Sequence, residues 1–306
     1  MRHLIWHSYW FYRRKISGAR RIDGLVLDVG SGNSPFPRAD VLAEKFLLDD
    51  SNRIWGQKPV LSAPVVACDA EALPFSDKTF DFVVASHLLE HVDRPDRVML
   101  ELSRVGKAGY IECPDEAYDK LDSPPYHRWF VEQRGDRLVF KQKQNAVFDE
   151  GIKALTHDTL YKDRGFWAVF WRRLERFFVM YRWEGKIDFE VHYLSLPTGE
   201  KGTAERSVFD DEQWLLKHGF LVVKPEEGAP NSGLVDAVFR LTWRALSLSV
   251  RGRRPYPRVI DLVVCPADRS KLDRSGVSEN KREGTLACGE CGRLFPVVEG
   301  IPHLFV

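Results

Sequence analysis

The chain is short of the features that mark extreme classes of protein. Its 306 residues include only 5 cysteines, unevenly spread, so no disulfide framework is read from them. Long apolar runs are missing: the stretches Phe82 to Ala85 and Val259 to Cys265 fall far below the roughly 20 residues that span a bilayer. The N-terminus is basic but has no apolar h-region and no small-residue cleavage site, so no signal peptide is read and the cytosol is the expected compartment. Net charge is nearly absent as well. Lys+Arg 45 against Asp+Glu 44 leaves +1, so no global field draws in nucleic acid. What is present is 44% hydrophobic and 29% charged, enough for a packed core. The length asks for one large domain and a small one.

Residues 1–22 are a basic aromatic segment, with Trp6, Tyr9, Trp10, Phe11 and Tyr12 among six arginines and lysines and no acid before Asp23. A surface for phosphates or anionic headgroups is one reading. A helix packing its aromatics on the main domain is the preferred one, because apolar residues are more often core than ligand platform. From Asp23 strands and helical patterns alternate, which predicts an α/β domain with a doubly wound, mostly parallel sheet. The expected strands are Leu25 to Val29, Val41 to Phe46, Pro64 to Cys68, Phe82 to Ala85 and Gly109 to Cys113, with a helix from about Pro95. Beyond Pro114 the pattern loosens. Tyr118 to Phe130 reads as loop, and Asp158 to Phe177 as an aromatic helix. Phe177 to Arg182 and Ile187 to Tyr193 read as a hairpin around Trp183-Glu184-Gly185-Lys186. Asp210 to Lys217 and Val235 to Ser249 read as helices, with a strand at Gly219 to Val223. Which late strand completes the sheet stays open. The basic, proline-bearing run 251–258 is the best linker, dividing a main domain 23–250 from a tail 259–306.

The organising stretch is L-V-L-D-V-G-S-G-N, Leu25 to Asn33. A buried strand ends in Asp28 and two glycines, Gly30 and Gly32, that let backbone approach a ligand closely. A dinucleotide site would need a third glycine opening a helix for a pyrophosphate, and Pro35 stands there instead. The acid-bearing run C-D-A-E-A-L-P-F from Cys68 follows the third strand. The fourth runs through F-D-F-V-V-A-S into H-L-L-E-H-V, Phe80 to Val92.

With these blocks in this order, residues 23–115 resemble the class I S-adenosylmethionine-dependent methyltransferases, in their type 11 branch. The resemblance implies a Rossmann-like, seven-stranded-type sheet and S-adenosylmethionine as cofactor. It implies that Asp28, Gly30, Ser31 and Gly32 lie against the methionine and ribose part. An acid at the end of the second strand takes the ribose hydroxyls, with Glu44 favoured over its rival Asp49. Asp69 and the Ala70 amide read the adenine edge, and His87 lies beside the sulfonium. Methyl transfer is an in-line displacement, and a general base is needed only where the acceptor must lose a proton. Candidates for that base are His87, Glu90, His91, Asp115, Tyr126 and His127. Glu90-His91 is read first as a brace for the following helix. His127 lies after the fifth strand, where acceptor loops gather, and a packed loop is its plain alternative. Ser123-Pro124-Pro125-Tyr126 resembles a tetrapeptide of nitrogen-methylating enzymes but stands in the wrong place for it.

In the tail, Cys265, Asp268, Cys288 and Cys291 have zinc-ribbon spacing with Asp268 where a fourth cysteine is usual. A three-sulfur, one-oxygen zinc site is chemically allowed, and the departure leaves metal open. With V-I-D-L-V-V-C-P and F-P-V-V-E-G-I-P, the tail resembles the small zinc-ribbon activator subunit of translation-related methyltransferases. That resemblance implies a β-rich domain that adds a strand to its methyltransferase and covers apolar surface, here within one chain. It also points towards tRNA, rRNA or a translation protein as acceptor. A small-molecule or glycolipid acceptor is the first alternative, surface contact with a membrane stays open, and a non-catalytic scaffold is the second. The expectation is a methyltransferase using S-adenosylmethionine.

Overall fold

The computed structural model describes residues 22–47, 59–122, 126–143, 150–194, 245, 249–250, 254–277 and 282–306. Three short strands come first: β1 (Val26–Val29), β2 (Val41–Glu44) and β3 (Val65–Cys68), each buried at every position. Continuous burial is what a parallel strand covered on both faces requires, and it is why they read as plain apolar runs. β4 (Phe80–Ser86) and β5 (Gly106–Pro114) follow, joined by helix α1 (Pro95–Val105). Proline at the start of α1 costs no hydrogen bond, and Val98, Met99, Leu102 and Val105 form its buried stripe.

The strands run in the order β3-β2-β1-β4-β5, all parallel, and β8 (Phe178–Glu184) closes this side antiparallel to β5. β1 lies between β2 and β4, so the winding direction reverses there. In doubly wound sheets that reversal opens a crevice at the carboxyl ends of the strands. No helix fills the link from β1 to β2. Arg38, buried, donates to Asp40 at 2.5 Å and to the Gly24 carbonyl at 2.7 Å, while Asp40 accepts from the Val26 amide.

The tail continues the same sheet. A turn at Val259–Asp261 leads to β10 (Leu272–Asp273), β11 (Gly284–Cys288), β12 (Leu294–Val298) and β13 (Ile301–Leu304), an antiparallel run. β13 then pairs in parallel with β3, His303 opposite Ala67 and Leu304 opposite Cys68. The result is a 10-stranded sheet. The Val264 amide also donates to the Pro74 carbonyl, and the Tyr256 hydroxyl to the Ser62 carbonyl. Val263, Cys265, Leu286, Phe295 and Leu304 are buried in one cluster with Leu27, Phe75 and Val83, so tail and main sheet share a core. Strand addition between tail and main domain is as the activator resemblance implied.

Three expectations are corrected. Tyr118 to Phe130 is not all loop: helix α2 (Glu116–Asp122) and strand β6 (Trp129–Arg134) flank a short undescribed gap. The segment around Asp158 to Phe177 is broken. A short helix α3 (Glu150–Lys153) runs into a π turn at Ala154–Thr159, and α4 covers only Arg164–Arg172. Asp163 caps α4 by accepting from the Phe166 amide, so the regular helix starts late. The predicted hairpin also fails. β8 and β9 (Asp188–His192) are both strands, but β8 pairs with β5, and β9 pairs in parallel with β7 (Arg137–Gln142), which itself pairs with β6. The expected helices Asp210 to Lys217 and Val235 to Ser249, the strand Gly219 to Val223 and the segment 1–22 lie largely or wholly outside the described residues. Among the described residues no helix is long and apolar enough to cross a membrane.

Candidate functional site

The carboxyl ends of β1, β2, β3 and β4 meet at the reversal of the sheet. After β1 the chain turns through Gly30 (φ +67°) and Gly32 (φ +54°), in the left-handed region where side chains are strained. A Cβ on Gly30 would stand 2.7 Å from Leu88 Cδ1, so the loop after β4 closes down on this glycine. Asp28, buried, accepts from the Phe36 amide at 2.5 Å and fixes the far end of the loop. Glu44, buried at the end of β2, accepts from Ser31 Oγ at 2.6 Å and the Gly32 amide at 2.7 Å. The carboxylate and the glycine loop are thus locked together. The rival Asp49 lies outside the described residues.

At the end of β3, Asp69 accepts from the Glu71 amide at 2.9 Å and caps the single turn Ala70–Ala72. Its other oxygen is 2.7 Å from Lys45 Nζ, a neighbour that sequence reading did not single out. Asp28, Gly30, Ser31, Gly32, Glu44, Asp69 and Ala70 therefore share one rim.

His87 follows β4 with φ +55°, a strained setting for a residue with a side chain. Its amide donates to the Glu112 carbonyl at 2.7 Å, its Nδ1 is 3.2 Å from Glu90 Oε1, and its Nε2 is 3.5 Å from Glu112 Oε1. Burial opposes charge on the ring, but the contacts with Glu112 and Glu90 outweigh it and lift His87 to about 9. Burial would raise Glu90, yet the bond to His87 and nearby imidazoles bring it down to about 2. His91 goes the other way, to about 4: burial dominates, and the Glu90 charge only partly offsets it. Neighbouring groups with divergent affinities for protons are the pattern of a site rather than of a solvated face. Glu112, a buried acid in the otherwise apolar run of β5, was missed by sequence reading. Its position inside I-E-C-P was the available signal.

The remaining candidates separate. His127 is buried and joined to the Glu90-His91 pair, its ring 4.7 Å from that of His91. The Arg128 amide donates to the Glu90 carbonyl at 2.7 Å and Trp129 Nε1 to the Val92 carbonyl, which staples the segment ahead of β6 onto the loop after β4. Tyr126 stacks on His91. Asp115 instead accepts from the Ala117 amide and starts α2. Asp119 and Lys143, both behind His127, carried no sequence signal.

In the tail, Cys265, Asp268, Cys288 and Cys291 come together with their ligand atoms all within 4.8 Å. Cys265 Sγ and Cys291 Sγ are 3.6 Å apart, and Cys288 Sγ is 3.3 Å from Asp268 Oδ2. Sulfur–sulfur spacing near 3.7 Å is what tetrahedral zinc with bonds of about 2.3 Å demands. Asp268 Oδ1 is held by the Ser270 amide and hydroxyl, which orients the carboxylate. The donor set fits zinc with Asp268 as the fourth ligand.

Residues 27–111 match a methyltransferase domain model, and residues 257–300 match a model of Trm112p-like proteins. Among curated proteins, demethylmenaquinone methyltransferase of Renibacterium salmoninarum is 39% identical over 88 residues, covering 28% of this chain and 37% of that one. The ubiquinone/menaquinone biosynthesis C-methyltransferase UbiE of Desulfotalea psychrophila is 32% identical over 97 residues, covering 28% of this chain and 38% of its own. The chain thus spans under half the length of these curated relatives. Among solved structures, a chain of the complex between the Haloferax volcanii Trm112 methyltransferase activator and a methyltransferase is 14% identical with a TM-score of 0.33, covering 58% of this chain and 90% of that one. A likeness at that score carries no functional weight. The chain therefore joins a segment similar to methyltransferase domains, 27–111, to a segment similar to Trm112p-like proteins, 257–300.

Proposed function

We propose that the protein is an S-adenosylmethionine-dependent methyltransferase acting on a small-molecule acceptor. The observation that carries the cofactor half is the rim at the strand ends, where Glu44 is bonded to the glycine loop and Asp69 stands one strand away. In this reading Glu44 receives the two ribose hydroxyls, since one carboxylate accepts two hydrogen bonds at once. Gly30 and Gly32 let the backbone lie under the methionine and ribose part, Asp28 orients that loop, and Asp69 with the Ala70 amide reads the adenine edge. His87 closes the end of the site nearest β4. Bound there, the cofactor supplies an electrophilic methyl group on a positively charged sulfur. The chain's own share of catalysis is alignment of the acceptor and exclusion of water. In this reading His127 and His91 face the acceptor side of the site.

The small-molecule choice is supported by the relatives, whose names refer to menaquinone and ubiquinone. The tRNA or translation-protein reading rests on the Trm112p-like match alone. Its strand β13 pairs with β3, whereas the histidine cluster lies past β4 and β5. In our reading the tail serves the stability of its own methyltransferase, and its cysteines with Asp268 hold structural zinc. Incubation with methyl-labelled cofactor and fractionated cell extract separates the readings. We expect label in an organic-extractable small molecule, and loss of label in Asp69→Ala. Label confined to RNA or protein contradicts the acceptor class, and no cofactor binding at all supports the scaffold reading instead.

A further inference from the structure

Three side chains outside the cofactor rim meet beyond the end of β4. Glu90, His91 and His127 each offer a ligand atom, all within 4.8 Å of one another. Both imidazoles are tied down at Nδ1: that of His127 is 2.8 Å from Asp119 Oδ1, and that of His91 is 3.3 Å from the Tyr126 carbonyl oxygen. A carbonyl and a carboxylate oxygen accept, so the two Nδ1 atoms donate there and Nε2 is the nitrogen of each ring left for a ligand. Asp119 is itself held by Lys143 Nζ at 2.5 Å, the kind of outer partner that orients a ligating histidine. Glu90 is 1% exposed; its Oε1 lies 3.2 Å from His87 Nδ1 and 3.9 Å from His91 Nε2, while its Oε2 has no hydrogen-bond partner. The nearby Cys113 thiol is only a weak donor. A mere brace for the following helix needs neither a buried carboxylate oxygen left to a weak thiol donor nor two imidazoles gathered beside it. An unmet buried acceptor is costly without a ligand.

We propose that Glu90, His91 and His127 form a binding site for a divalent first-row transition-metal ion, distinct from the sulfur-rich cluster of the tail. Two imidazole nitrogens and one carboxylate suit such an ion and leave coordination positions open. The side chain of His91 is 29% exposed, which gives the ion a way in from solvent. On the methyltransferase reading above, and resting on it, those open positions take oxygen donors of the acceptor.

Cobalt(II) is the probe. Metal-free full-length protein is loaded with Co2+, freed of excess by gel filtration, and its bound cobalt counted. Thiolate-to-cobalt absorption reports any ion on the tail cysteines separately. His91→Ala and His127→Ala are expected to bind one equivalent less than the unaltered protein, with the thiolate absorption unchanged. Glu90→Gln, nearly isosteric, is expected to weaken that equivalent by roughly ten-fold or more. Equal cobalt counts and affinities in the unaltered protein and all three variants overturn the site. Counting cobalt involves no S-adenosylmethionine, so this proposal and the cofactor reading fail separately.

Discussion

β1, β2 and β3 are buried at every position, whereas β12 alternates exposed and buried along Leu294–Val298, although all four lie in one sheet. The parallel side is packed on both faces and ends in a rim of polar side chains. The tail is half-covered, antiparallel and built around a cluster of three cysteines and Asp268. A unit of roughly 50 residues buries too little surface to be comfortable alone, and such units lean on metals or partners. This one has the apolar floor of the main domain as partner, reached through the edge of β3. The comparison teaches that the tail belongs to the core, while the site belongs to the strand ends.

The largest effect should come from removing residues 256–306. It strips the edge of β3 and uncovers Phe75 and Cys68, both buried now. We expect aggregation on size exclusion and no cofactor binding; a soluble monomer that binds cofactor breaks the shared-core account. Next is Leu286→Ala, in the tail but fully buried in the common cluster. A cost of about 2–5 kcal/mol is expected in denaturant unfolding. It should shift one cooperative transition, whereas a separate early transition of the tail would show two independent cores.

On the other side of the comparison, Glu44→Gln keeps an oxygen that accepts from Ser31 and Gly32 but removes the charge that, in our reading, meets the ribose hydroxyls. Loss of hydrogen bonds to a charged group costs about 1.5–3 kcal/mol, or roughly 10- to 100-fold in cofactor affinity. Thermal stability should change far less, which isothermal titration and a melt on the same sample will compare. The smallest effect concerns Asp96 at the start of α1. Burial would raise its carboxyl, but Arg94 and Tyr193 outweigh that and hold it below the usual carboxylate range. The folded chain then binds that proton less readily than the unfolded one. Its contribution is complete above the unfolded value near 3.9 and fades as pH falls through the lower, folded value. Asp96→Asn should flatten the acid limb of the stability curve by under about 1 kcal/mol, since the pair is partly exposed.

The parallel strands were legible because a strand buried on both faces must be apolar throughout, and β1 to β5 are found within a few residues of their expected places. Asp69 was legible as an acid directly after such a run, whereas Glu44, expected inside a strand Val41 to Phe46, is the last residue of β2. The hairpin at Gly185 was misread because a turn residue between two strands says nothing of their partners. β8 found β5, and β9 found β7. The support behind His127 was invisible for the same reason. Asp119, His127 and Lys143 come from α2, the segment before β6 and the end of β7, and only tertiary packing makes them neighbours.

The central claim is that the strand-end rim holds S-adenosylmethionine, and calorimetric titration of the full chain with that compound tests it most directly. The account predicts binding of one equivalent, weakened at least about ten-fold in both Glu44→Gln and Asp69→Ala variants that keep their fold. No heat of binding to the intact protein, or unchanged affinity in both variants, would contradict it.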